Sequence, residues 1–126
     1  MIQLLLDTNV VLWLSEGNPR IDQLNPLLFS EETQVFISCI SWWEIAIKNR
    51  TGKLKVKIDE LRYLAEKHNF PELPITGDCI KAYLELPQIH KDPFDHMLLA
   101  QAITCPMRLI TGDPVLAEYS SLVMVI

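Results

Sequence analysis

Four acidic residues, Asp7, Glu44, Asp95 and Asp113, stand at comparable places along a chain of 126 residues. Asp7 directly follows the apolar run IQLLL, and Asp113 follows RLIT in RLITGDP. Glu44 comes shortly after a second apolar run, in QVFISCISWWE, where the spacing predicts the first turn of a helix. Asp95 lies in HKDPFDHMLLAQAI, in the first turn of another predicted helix. If the apolar runs are parallel strands, their carboxyl ends and the amino ends of the following helices share one sheet edge, where such sheets bind ligands. The helix of Asp95 precedes a strand rather than following one, so its place at that edge is less direct.

Helix capping accounts for each acid taken alone. Asp7 and Asp113 can each cap a helix that begins just after them, Asp113 with Pro114 behind it. Ser41 and Glu44 have the spacing of a capping box. Asp92 before Pro93 reads as the cap of the last long helix, and Asp95 in its first turn suits the helix dipole. Taken together the acids pose a conflict. A close pair of carboxylates repels by about 3 kcal/mol at an effective dielectric near 20, whereas a cap contributes only about 1 kcal/mol. A shared cation removes that conflict.

The ligand atoms indicate which cation. Four carboxylates offer hard oxygens, which suit magnesium or manganese. His68, His90 and His96 show no HExxH spacing, and Cys39, Cys79 and Cys105 form no CxxC pair, so zinc is not expected. A carboxylate-held magnesium suits phosphate chemistry: it binds phosphate oxygens, activates water and stabilises a leaving oxygen. Thr8, Asn9 and Thr111 stand beside these acids and can orient a ligand or a bound water, although turn and cap chemistry explains them equally well. There is no glycine-rich phosphate loop and no nucleophile elbow. Trp13, Trp42 and Trp43 are expected to pack in the core or between helices rather than to stack bases.

Composition bounds the rest. A chain of this length makes one ordinary domain, and its content of 49% hydrophobic and 21% charged residues is that of a globular protein. No apolar run approaches a membrane span, and the N-terminus lacks the features of a signal peptide. The odd, widely spaced cysteines read as reduced core residues of a cytoplasmic protein. A net charge of -5 argues against nucleic-acid binding by the whole surface. Residues 48–57, KNRTGKLKVK, nevertheless carry Lys48, Arg50, Lys53, Lys55 and Lys57 without an acid. They form either a solvated basic face or an arm that contacts phosphates.

The chain shows no repeats or linkers. Strands are expected at residues 2–6, 34–38, 72–75, 108–111 and 122–126. Helices are expected at residues 10–17, 41–52, 59–70, 77–86 and 93–104, with short helical pieces around Pro19 and Pro26 and after Pro114. Strands alternating with helices imply a parallel sheet of four or five strands covered on both faces.

The blocks LLLDTNVVLWL, SWWEIAIKNRTGKL, HKDPFDHMLLAQA and LITGDPVLAEY resemble, in this order, those of PIN-domain proteins, in particular VapC-type toxins of toxin–antitoxin pairs. The resemblance implies a single PIN-like α/β domain over residues 1–126 and a magnesium- or manganese-dependent endoribonuclease. It maps the catalytic, metal-holding acids onto Asp7, Glu44, Asp95 and Asp113. It also implies an RNA substrate, an antitoxin partner and a homodimer, and for such a substrate Lys48, Arg50 and Lys53 of the basic stretch can hold the backbone. Two departures stand out. His96 replaces the arginine that usually follows the DPFD block, which would weaken a phosphate or partner contact or make it pH-dependent. TCPMRL replaces a more polar or glycine-bearing turn. Neither touches the four acids.

Two other readings remain. A receiver-type signalling module fits the length and the α/β alternation. It would need an acidic pair at the first strand, an acceptor Asp after a middle strand and a late lysine, whereas this chain has Asp7 alone and no lysine beyond Lys91. A PIN-like protein that binds RNA without cutting it is the other alternative, and the intact acid set weighs against it.

Overall fold

Strand β1 (Ile2–Leu6) explains the architecture. Leu4, Leu5 and Leu6 are all fully buried, although successive side chains of a strand point to opposite faces. Leu4 and Leu6 join one apolar cluster and Leu5 joins a second. Both faces of β1 must therefore be covered, as in a parallel sheet with helices on each side. The computed structural model describes residues 1–88 and 90–126 of the chain.

In chain order, α1 (Thr8–Glu16), a 3-10 helix (Pro19–Leu24) and α2 (Asn25–Leu28) precede β2 (Thr33–Ser38). Next come α3 (Cys39–Arg50), α4 (Ile58–Lys67), β3 (Glu72–Leu73), α5 (Gly77–Leu84) and α6 (Pro93–Thr104). β4 (Arg108–Thr111), a 3-10 helix (Pro114–Glu118) and β5 (Val123–Val125) complete the chain. The five strands are parallel in the order β3-β2-β1-β4-β5. The chain winds outward from β1 to β3 and then returns to place β4 on the other side of β1. The boundary between β1 and β4 is thus a topological switch point, and a crevice opens at their carboxyl ends. A receiver would order its strands β2-β1-β3-β4-β5, so the sheet is not of that type.

Several boundaries differ from the sequence reading for identifiable reasons. α1 starts at Thr8 because Asp7 caps it, and it ends at Gly17, whose φ of 68° is left-handed. β3 stops before Pro74, which has no N–H with which to continue the ladder. α3 begins at Cys39, before Ser41, because Ser38 takes the cap with its Oγ accepting from the Ile40 amide at 3.0 Å. The expected Ser41–Glu44 capping box is therefore absent, and Glu44 lies in the second turn.

α6, the helix of Asp95, is anchored to the sheet by a polar residue. Gln101 is fully buried in its middle, accepts from Ser38 Oγ at 2.6 Å and donates to the Pro74 carbonyl at 3.1 Å. Buried amides need such partners, and here they fix α6 against the ends of β2 and β3. Cys39 is half-buried, Cys79 buried and Cys105 exposed, all as free thiols, so Cys105 departs from the expected core position. Among the described residues no helix is long and apolar enough to cross a membrane.

Candidate functional site

The switch point positions Asp7. Its carboxylate is only 3% exposed, with Oδ1 accepting from the Thr8 amide and Oδ2 from Thr111 Oγ1, both at 2.7 Å. Thr111 Oγ1 in turn accepts from the Asp113 amide at 3.1 Å. These bonds tie the end of β1 to the end of β4, and they hold Asp113 where its Oδ1 caps the next turn at the Val115 amide, 3.0 Å away. Gly112 lies between them because a Cβ there would collide with the Trp13 ring. Burial pushes the Asp7 carboxyl up to about 6 against the opposing effect of its two hydrogen bonds, and Glu44 and Asp92 push it the same way.

α3 brings in the second acid. Ser41, Glu44 and Lys48 share one helical face. Ser41 Oγ accepts from Thr8 Oγ1 at 3.0 Å, which sets this face against the start of α1. Glu44 is buried, and its Oε2 accepts from Lys48 Nζ at 2.8 Å. Its Oε1 is buried with no hydrogen-bond partner among the described residues. The bond to Glu44 raises the pKa of Lys48 against the effect of burial. Lys48 is thereby tied to the site at its partly exposed rim, whereas Arg50, the last residue of α3, and Lys53 beyond it are exposed. Asn9 is exposed on the first turn of α1.

α6 contributes the third acid. Asp92 is the cap, with Oδ1 accepting from the Phe94 amide at 2.9 Å and the Asp95 amide at 3.4 Å. Asp95 then points into the field of the other acids. Burial, followed by the charges of Asp7, Asp92, Glu44 and Asp113, pushes its carboxyl up to about 8. Asp7, Glu44 and Asp113, the other acids expected from the sequence, thus all act on Asp95, with Asp92 as a further charge.

His90 was not singled out from the sequence. Its Nε2 lies 3.6 Å from Asp95 Oδ2, and one ligand atom each from His90, Asp95 and Asp113 fall within 4.8 Å of one another. The one available signal was its place two residues before the cap Asp92, close enough for the ring to meet the Asp92 amide. His96 is buried and bonded through Nε2 to Tyr119 Oη at 2.9 Å, so it faces inward and does not take up the phosphate contact of an arginine. Burial and neighbouring His90 lower its pKa. Trp42 and Trp13 pack as expected, whereas Trp43 is 58% exposed and meets Phe94 edge-on with centroids 5.5 Å apart. A separate cleft of about 670 Å³ between α4 and the β3 edge, lined by Trp42, Arg62, Tyr63 and Phe70, contains none of the four acids.

The residues present suit a hard divalent cation. The charges of Asp7, Asp92, Glu44 and Asp113 all bear on Asp95, Lys48 is bonded to Glu44, and among the described residues a buried oxygen of Glu44 is left without a donor. A single ammonium does not balance that charge, and carboxylate oxygens suit a hard divalent cation.

A parallel sheet with this switch point and acids along its crevice is the arrangement of one known family. The PIN domain family model matches residues 4–122, and the chain belongs to that family. Among characterised relatives, it is similar to Ribonuclease VapC22 of Mycobacterium tuberculosis, with 26% identity over 115 residues, covering 90% of this chain and 88% of that protein. Among solved structures, it resembles VapBC2 from Rickettsia felis bound to a promoter DNA fragment, with a TM-score of 0.73 and 17% identity over 99% of this chain and 98% of that one. A toxin–antitoxin complex from Klebsiella pneumoniae is also similar, with a TM-score of 0.68 and 23% identity over 97% and 96% of the two chains.

Proposed function

We propose that this PIN-domain protein is an endoribonuclease of the VapC type, in which Asp7, Glu44, Asp95 and Asp113 hold one or two divalent ions, magnesium or manganese. Family membership and the VapC ribonuclease relative support the activity. The observation that carries the metal reading is Glu44 Oε1, buried and unpartnered near an Asp95 carboxyl that burial and neighbouring charge have pushed up to about 8. When bound, the ion supplies charge stabilisation for a phosphoryl oxygen and a reactive water. Asp7 is preset by Thr8 and Thr111 to present a fixed carboxylate, and Lys48 steadies Glu44 through the oxygen that is not free. Exposed Arg50 and Lys53 hold the RNA backbone as point charges.

The toxin–antitoxin assemblies among the similar structures support an antitoxin partner; on this reading the partner covers the crevice and the toxin is a homodimer. The 126 residues act as one PIN-like domain in the cytoplasm. The test is Glu44→Gln. Gln keeps the shape and accepts from Lys48 but offers no charge to a cation. The wild type is expected to cleave single-stranded RNA only with added manganese or magnesium, and the variant to lose roughly 100-fold or more of that rate while staying folded. Undiminished cleavage in the variant would remove the metal role. RNA binding without cleavage in the wild type would favour the non-catalytic reading instead.

A further inference from the structure

His90 lies at the acid edge, and neither the metal set nor the RNA contacts give it a part in the reaction. Its ring is held on several sides. The Asp92 amide donates to Nδ1 at 3.1 Å, and the ring stacks on His96 with centroids 5.2 Å apart and planes inclined by 12°. Tyr119 Oη accepts from the His90 amide at 3.1 Å and also bonds His96 Nε2 at 2.9 Å. A backbone N–H can only donate, so Nδ1 is an acceptor and the proton of the neutral ring sits on Nε2. That nitrogen is buried, has no hydrogen-bond partner among the described residues and faces Asp95 Oδ2 at 3.6 Å.

The spacing of His90, Asp95 and Asp113 would also suit three ligands of a single ion. The tautomer separates the two roles. A ligand needs a lone pair on Nε2, which would move the proton to Nδ1 and set it against the Asp92 N–H. We infer that His90 is a positioning residue: its Nε2–H donates to Asp95 Oδ2 and turns the other carboxylate oxygen toward the ion. This inference rests on Asp95 being a metal ligand, as proposed above. The present 3.6 Å is longer than a hydrogen bond, and an approach of about 0.6 Å closes it. The buried Nε2 is shielded from solvent, and Asp95 Oδ2 at 3.6 Å is the acceptor it faces among the described residues.

Two substitutions distinguish the roles. In His90→Asn the shorter amide can still accept from the Asp92 N–H, but its own N–H falls short of Asp95. In His90→Gln the longer amide carries an N–H to about the place of Nε2. Manganese affinity, read by electron paramagnetic resonance without RNA, and single-turnover RNA cleavage are measured on the full chain, each below the metal-free melting midpoint of that variant. His90→Asn is expected to weaken manganese binding and slow cleavage by roughly 10- to 100-fold with little change in KM for RNA, and His90→Gln to recover most of both. Equal losses in the two variants would mean a lost ligand and overturn the positioning role, as would wild-type affinity in His90→Asn. If the wild type binds no manganese, the metal reading fails and the His90 role falls with it. If the wild type binds and cleaves while His90→Asn matches it, only the His90 role falls.

Discussion

Asp7 and Asp95 carry the same carboxyl group into the same field of charge, and the fold holds them in opposite ways. Asp7 ends the central strand, is almost fully buried, and has a donor at 2.7 Å on each oxygen. Asp95 rides the first turn of α6, half-buried, and its carboxylate accepts no hydrogen bond among the described residues. The more deeply buried of the two is nevertheless the less perturbed: Asp7 is pushed up to about 6 and Asp95 to about 8. Hydrogen bonds to the charged form offset burial for Asp7, while Asp95 meets four neighbouring acids with no hydrogen bond to its carboxylate among the described residues. Asp7 is thus built into the scaffold as an anion, and Asp95 depends on an added positive charge.

The largest effects come from neutralising each of them. Asp95→Asn should lower metal-dependent RNA cleavage by orders of magnitude, because an amide is a poor ligand for a hard dication. The metal-free protein should be as stable as the wild type or more so, since the change relieves repulsion at no cost in hydrogen bonds. Asp7→Asn should also abolish cleavage, but it turns an amide NH2 toward a group that already donates. A mispaired buried donor costs about 1–3 kcal/mol, so this variant should melt below Asp95→Asn in the absence of metal. Melting curves with EDTA and single-turnover cleavage on both variants test the contrast. The reverse order of stability would break it, and a fully active Asp95→Asn enzyme would end the nuclease reading.

The pH dependence of stability sharpens the same contrast. Both carboxyls bind protons more tightly in the folded chain than in the unfolded one, where they titrate near 3.8. Their contribution to metal-free stability is therefore fully present below about pH 4 and is lost as pH rises, first through about 6 for Asp7 and then through about 8 for Asp95. Manganese should act in the opposite sense, raising the melting midpoint more at pH 8 than at pH 5, because it binds the charged carboxylates of the folded form. Asp95→Asn should flatten the metal-free profile above about pH 6 and leave below it only the slope that Asp7 contributes. A metal-free midpoint that does not change between pH 5 and pH 8 in the wild type would contradict both assignments.

The readability of the sequence divides along the same line. α6 and β4 were legible residue for residue, because Asp92-Pro93 is a strong local start signal and RLIT is a closed apolar run. Asp7, Asp95 and Asp113 could be singled out because each stands next to such a signal, whereas Glu44 was assigned to a first turn by a capping box that the structure does not form. What holds Asp7 was not legible: Thr111 is 104 positions away, and only the pairing of β1 with β4 brings it to the carboxylate. The start of α3 was misplaced because Ser38 and Ser41 both suit a cap, and the choice of Ser38 depends on Gln101 of another helix. Lys48 looked like part of a basic arm until the helix turned it onto Glu44. His90 and Tyr119 meet only through the folded loop before α6, which no spacing rule covers.

The smallest effect is expected at Asp92, three residues before Asp95, and it tests whether the contrast belongs to individual residues or to the whole first turn of α6. Asp92→Ala removes the acceptor for the Phe94 and Asp95 amides, a cap loss of about 1 kcal/mol. The same substitution deletes a charge that pushes up both Asp7 and Asp95, which returns part of that stability where those two are ionised. The net cost should therefore be largest near pH 5 and smaller near pH 8. Pro93 still presets the helix start, and the Asp92 backbone N–H still reaches His90. RNA cleavage should then stay within a few-fold of the wild type, measured at saturating manganese beside melts at the two pH values. If Asp92→Ala abolishes cleavage as completely as Asp95→Asn while remaining folded, Asp92 is itself a ligand. The unsupported charge would then belong to the first turn as a unit rather than to Asp95 alone.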